Sequence, residues 1–285
     1  MKVAWITIGV NLGLAIFKFT AGILAKSSAI IADAVNSTTD IGGTVIVMIG
    51  VKMASKEADN EHQYGHERME SVAALILAVI LFSVGLGLGH NGVLKVFGGA
   101  HEELPVPGIL ALVAAVTTLV IKESMYWYTR ATAKRIDSVA LIAAAWDHRA
   151  DALASIGCFA GILGARMGYP VLDPVAAVLI SLFIIKASYN IFREAIGKMT
   201  DKACETGNEE IAAIVMESER VLGIDMIKTR IFGNKIYVDV EIRADGSISL
   251  REAHDIAEGV HDAIEERLKN VKHCMVHVNP ETSGE

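Results

Sequence analysis

Two short stretches of this chain set side-chain oxygens one helical turn apart in otherwise apolar surroundings. "ADAVNSTTD" places Asp33, Asn36 and Asp40 at intervals of three and four residues, so all three line one face of a helix. "AAAWDHRADALAS" repeats the device with Asp147 and Asp151. Asn36, Asp40, Asp147 and Asp151 can together offer a cation four side-chain oxygens. Such donors suit manganese, magnesium and calcium better than the soft metals. The plainer alternative is that each acid pairs with a base or caps a helix end, and Lys18, His148 and Arg149 are the candidate bases. His148 and Arg149 lie one and two places past Asp147 and therefore off the ligand face. Asp33 precedes Asn36 by one turn, where a proton-relay or supporting role competes with direct ligation.

The elements that must carry these groups are apolar. Of the 285 residues 52% are hydrophobic and only 6% aromatic, with a mean hydropathy of +0.43. Soluble domains have roughly 45–50% apolar residues. Val3–Phe17 carries no charge, and neither do the nineteen residues from Ser71 to Gly89. A bilayer core takes about 20 apolar helical residues. Six spans are expected, near Val3–Ala25, Ser28–Met53, Ser71–Gly89, Val106–Ile121, Val139–Arg166 and Leu172–Ala187. The first is too long for the core of a signal peptide. In the sixth, Asp173 is expected to cap its own helix, with Pro174 in the first turn.

An even number of spans puts both termini on one side. That side collects Lys52, Lys56, Arg68, Lys122, Arg130, Lys134, Arg135, Arg193 and Lys198, against Lys26, Lys95 and Arg166 opposite. The bias makes both termini cytoplasmic. A net charge of −7 with no basic patch argues against a nucleic-acid partner. Cys158, Cys204 and Cys274 are isolated, which argues against a disulfide framework.

The chain is expected to divide into a membrane domain over 1–200 and a soluble one over 201–285. The tail reads α-β-β-α-β: helix Asn208–Glu219, strands Asp225–Ile231 and Lys235–Arg243, helix Ser249–Leu268 and strand Lys272–Val278. "IYVDVEI" alternates as a half-buried strand should, and Gly233-Asn234 supplies a hairpin turn. Ser249 and Glu252 have the spacing of a capping box. The tail resembles a ferredoxin-like (αββαβ) unit, and by analogy its free helix face suggests dimerisation.

The paired motifs resemble those of the cation diffusion facilitator family of metal–proton antiporters, whose spans two and five carry H/D/N-x-x-x-D and H/D-x-x-x-D. Asn36, Asp40, Asp147 and Asp151 fall in those places. "DNEHQYGHERMES", "LDPVAAVLISLFI", "KMTDKA" and the tail resemble further family segments, in the family's order. The resemblance implies alternating access in which arriving metal displaces protons from carboxylates that cannot all stay ionised in one confined seat. The absence of a Walker-type loop agrees with exchange that needs no ATP. N-x-x-x-D with D-x-x-x-D is similar to the manganese-exporting branch. Mn2+ is therefore the first expected substrate and Fe2+ the second, with Zn2+ and Cd2+ the alternative.

The resemblance also implies a peripheral loop site at Asp59, His62 and His66, and an Arg68–Asp201 charge pair joining loop to tail. A regulatory tail site would fall near Asp225, Glu241, His254, His277 and Asn279. There acids replace two of the usual histidines, which favours harder metals or abolishes the site. His261 and His273 read as surface residues. A homodimer in the plasma membrane (the inner membrane of a Gram-negative cell) and no organic cofactor are also expected. An intramembrane metal-dependent hydrolase would need a general base, and no HExxH or partnered nucleophile occurs. A scaffold with a decayed membrane site would not keep Asp40, Asp147 and Asp151 intact.

Overall fold

A computed structural model describes residues 2–98, 104–136, 139–204, 208–233 and 235–281. Six long helices come first: α1 Lys2–Leu24, α2 Ser28–Ala54, α3 Met69–Phe97, α4 Ile109–Ile136, α5 Val139–Arg166 and α6 Leu172–Met199. The tail follows as α7 Asn208–Met216, β1 Gly223–Phe232, β2 Lys235–Asp245, α8 Leu250–Arg267 and β3 Val271–Glu281. The chain separates into two compact units, Met1–Ile46 with Ile76–Asn190, and Val47–Leu75 with Ile191–Glu285.

Helices α3, α4 and α6 run well past the expected ends of their apolar stretches. Twenty-eight residues of α4 extend for about 42 Å, against a hydrocarbon core of about 30 Å. Loss of hydropathy after Ile121 marks a change of surroundings and not the end of a helix, because Lys, Glu, Met and Arg are all good helix formers. Among the described residues, Met69–Phe97, Ile109–Arg135 and Leu172–Met199 are long and apolar enough to cross a membrane.

The helical unit distributes its side chains as a lipid-facing bundle requires. Ala29, Ala32, Ala34, Ala111, Ala114 and Ala115 are fully buried, while Ile16, Ile76, Val79, Leu179, Leu182 and Phe183 point outward. Small residues inside let backbones approach, and large apolar ones outside meet lipid. Gly161 in α5 illustrates the approach. A Cβ there would lie 2.5 Å from the Ala176 Cβ and 2.9 Å from the Leu172 carbonyl oxygen.

Asp173 corrects one expectation. Its carboxylate accepts from the Ser27 hydroxyl at 2.5 Å, the Ser28 N–H at 2.6 Å and the Ala29 N–H at 3.4 Å. It therefore caps α2 and not its own helix. The start of α2 presents orphan amides and a positive dipole end that an anion satisfies. Lys26, in the left-handed region at φ 54°, turns the chain from α1 into this cap.

In the tail, β1 pairs antiparallel with β2 and β2 parallel with β3, in the order β1-β2-β3. Helix α8 connects the two parallel strands, as such a crossover requires. Val238, Val240 and Ile242 of β2 meet Ile256, Val260 and Ile264 of α8 and Ile211 and Val215 of α7 in one apolar core. The hairpin joins Phe232 to Lys235 through Gly233 at φ 64°, and Asn234 lies outside the described residues. Burial pushes the Cys274 thiol up to about 12, so it stays protonated.

The capping box forms as spaced, with Ser249 accepting from the Glu252 N–H and Glu252 accepting from the Ser249 N–H. That backbone N–H holds the Glu252 carboxyl below its usual range. Ser249→Ala is expected to lower stability by about 1 kcal/mol, read from denaturant unfolding. The contribution of Glu252 is complete above the ordinary carboxylate range and is lost as pH falls through the lowered value. Asp173→Ala removes an acceptor from buried donors that cost about 1–3 kcal/mol each when unsatisfied. Its melting temperature in detergent should fall well below that of Ser249→Ala.

Candidate metal transport site

Groups from α1, α4 and α5 approach the acidic face of α2. Asp33 is buried, and its carboxylate lies 2.7 Å from the Lys18 ammonium of α1. Lys18 also donates to the Ser37 hydroxyl at 2.9 Å. The ion pair gives Asp33 a buried structural partner on α1. Asn36 is half-buried, and Asp40 opens toward the surface of the unit. Asp40 stands within electrostatic reach of Asp151, Lys122, Lys18 and Asp33. Thus Asp40 of α2 and Asp151 of α5 come within electrostatic reach of each other. Asp147 lies in α5 one turn before Asp151, and its side chain is outside those described.

Asp151 has a partner that local spacing did not suggest. The Lys122 ammonium of α4, only 2% exposed, donates to the Asp151 carboxylate at 2.6 Å. Helix α4 packs along α5 and against α1, which delivers this lysine to Asp151. An end of the fourth span at Ile121 puts Lys122 in a cytoplasmic loop, whereas α4 runs on to Ile136 and keeps it within the helix. The following "ESMYWY" carried a usable signal, since Tyr and Trp gather at the membrane–water interface. Arg149 lies 4.6 Å from the centre of the Tyr126 ring and 4.0 Å from the Glu123 carboxylate of α4.

The loop between α2 and α3 gathers Asp59, His62 and His66, whose ligand atoms all lie within 4.8 Å of one another. His62 Nδ1 and His66 Nε2 each stand 3.4 Å from an oxygen of Asp59. The ring of His66 donates from Nδ1 to the Glu57 carbonyl at 3.2 Å, which turns Nε2 toward Asp59. The His62 backbone N–H holds the Asp59 carboxyl below the usual carboxylate range. With Asp59 ionised, this N,N,O constellation suits a divalent d-block ion.

The same loop is fastened to the tail. Arg68 donates to Asp201 at 2.6 Å and lies 4.9 Å from the Phe232 ring centre. Lys272 of β3 donates to the Glu67 carboxylate and to the Tyr64 carbonyl, and the Tyr64 and Tyr237 rings meet edge-on. Asp201 sits at φ 56°, where the chain leaves α6 in a left-handed cap that aspartate tolerates.

The tail positions distribute differently. Asp225 accepts from the Asn279 amide at 2.9 Å and forms an ion pair with Arg243, whose Nε stands 2.9 Å away. Glu241 and His277 are register neighbours on β2 and β3, and His254 is exposed on α8. Asp225, Glu241, His254 and His277 are not among the groups of three or more ligand atoms gathered within 4.8 Å among the described residues.

A family model described as the cation efflux transmembrane domain matches residues 4–199, and one for the cytoplasmic domain of cation efflux proteins matches 205–281. The chain belongs to the cation diffusion facilitator family. Relatives of this facilitator include the uncharacterized transporter YdbO of Bacillus subtilis strain 168, 34% identical over 94% of this chain and 91% of its own. The manganese efflux system protein MneS of the same organism is 34% identical over 97% and 94%. A cadmium form of the MamM C-terminal domain is 22% identical, covers 26% of this chain and 91% of that one, and has a TM-score of 0.25. The facilitator is a metal efflux transporter and not an enzyme. Its architecture is a transmembrane helix bundle followed by a cytoplasmic domain built on a small mixed sheet.

A double-mutant cycle on this facilitator with Arg68→Gln and Asp201→Asn, the latter keeping the left-handed cap, should give a coupling of no more than ~1 kcal/mol. Both side chains are about two-fifths exposed, so the coupling should shrink further in high salt.

Proposed function

We propose that this chain exports Mn2+ from the cytosol in exchange for protons, with Asn36, Asp40, Asp147 and Asp151 as the metal seat. The observation that carries the reading is the ion pair of Lys122 with Asp151 at 2.6 Å, beside Asp40. A seat of three acids and one amide needs positive charge when the metal has left. Lys122 provides part of it in place, and protons provide the rest. Arriving Mn2+ takes the Asp151 carboxylate from the lysine and displaces the protons. In the outward-open state the ammonium and external protons reclaim the carboxylates, and the metal leaves. Asn36 adds a carbonyl oxygen without a further negative charge.

The choice of Mn2+ rests on all-oxygen donors and on likeness to the manganese efflux protein MneS. We take 1–200 as the membrane domain and 201–285 as the cytoplasmic one, with both termini in the cytosol. The cytoplasmic domains pair two chains. The Asp59–His62–His66 cluster is a peripheral metal site on the entry side. The positions at Asp225, Glu241, His254 and His277 would need a second chain or movement of Arg243 to hold an ion.

The test is metal uptake into proteoliposomes under an imposed pH gradient with Mn2+, Fe2+, Zn2+ and Cd2+. Mn2+ should move with a counterflow of protons, and Asp151→Asn should abolish it. Lys122→Gln removes the internal competitor, so Mn2+ should bind about tenfold tighter while turnover falls because release slows. Preference for Zn2+ in the wild type would overturn the choice of metal. Unchanged turnover in Lys122→Gln would overturn the role of the lysine.

A further inference from the structure

A second three-residue ligand group lies in the tail, away from the family's positions at Asp225, Glu241, His254 and His277. His261 and Glu265 are one turn apart on α8, and His273 faces them from β3. Glu265 Oε1 lies 3.2 Å from His261 Nε2 and 3.4 Å from His273 Nδ1. Two donors on a tetrahedral ion with bonds of about 2.0–2.1 Å stand about 3.3 Å apart. The two measured separations match that value without any movement of the backbone.

The surroundings fix the donors. His261 donates from Nδ1 to the Cys274 carbonyl at 2.6 Å, which sets the ring and leaves Nε2 facing Glu265. Ligating histidines are commonly held by such a bond from the second ring nitrogen. Glu265 Oε1 accepts the Cys274 N–H at 3.0 Å. The Cys274 side chain points into the apolar core, so its neighbour His273 points out, as strand alternation demands. The three side chains are between a third and a half exposed, and an ion reaches them from water.

We propose that His261, Glu265 and His273 form a metal site on the α8–β3 edge for Zn2+ or a similar borderline d-block ion. Two imidazoles and one carboxylate leave a fourth position for water. Imidazole donors select against Mn2+, the weakest binder of the divalent series. The site is therefore chemically distinct from the all-oxygen seat, and it responds to a different metal from the proposed cargo. Such an ion would pin helix α8 to the edge strand β3. The inference stands whether or not Mn2+ is the transported ion.

The alternative is that the three side chains only cover the free edge of β3, whose Cys274 N–H and carbonyl they satisfy. Metal-stripped full-length protein in detergent, loaded with ZnCl2 and desalted, distinguishes the two by elemental analysis. Wild type should retain about one zinc per chain more than His273→Ala, whose exposed side chain can be removed without opening the core. Glu265→Gln keeps an acceptor for the Cys274 N–H and should lose the same ion. Equal zinc counts in wild type and both variants would overturn the site. With MnCl2 at the same concentration the counts should not differ, and a manganese count that falls in the variants would overturn the zinc-type assignment.

Discussion

A carboxylate among alanines and lipid must find positive charge or amide donors within hydrogen-bond reach, because leaving it unpaired there is prohibitive. The helical unit is arranged around that requirement. Asp33 meets Lys18, Asp151 meets Lys122, and Asp173 meets the amides that open α2. Each contact joins different helices, so charge balance also fixes which helices are neighbours. The alanine-rich interior allows this, since short side chains let a lysine from one helix reach an acid on the next.

These pairs differ in what they permit. Lys18 and Asp33 are both buried and share Ser37, an arrangement that holds α1 to α2. Asp151 is a quarter exposed and lies beside a second acid, Asp40. An ion pair that water can reach exchanges its cation, and a sealed one does not. This difference in access distinguishes the sealed Asp33 of α2 from Asp151 of α5, which water can reach.

Outside the helical core the chemistry changes from oxygen to nitrogen. Asp59, His62 and His66, and separately His261, Glu265 and His273, combine imidazoles with one carboxylate at nearly equal donor spacings. In both groups a backbone carbonyl fixes one histidine ring. The loop that carries the first group is fastened to the sheet whose β3 carries His273 by Glu67 and Tyr64, and Arg68 lies over Phe232 of β1.

Much of this was legible in the sequence because it is local. The intervals among Asp33, Asn36 and Asp40 define a helix face, "IYVDVEI" defines a strand face, and Ser249 with Glu252 defines a cap. Each needs only the period of the backbone, and each was found where it was read. Helix ends were less legible, because hydropathy reports surroundings while helices such as α4 continue through the interface. Partners were legible only in part: Lys18 stood among the candidate bases and the resemblance implied Arg68–Asp201, but most long-range partners were not. Lys122 reaches Asp151 across 29 residues, Ser28 reaches Asp173 across 145, and His261 with Glu265 meets a strand whose histidine looked like surface. Sequence spacing determines which groups share a face. Only packing decides which faces meet, because an ion pair or a donor triangle depends on a few ångströms between segments that the chain does not join.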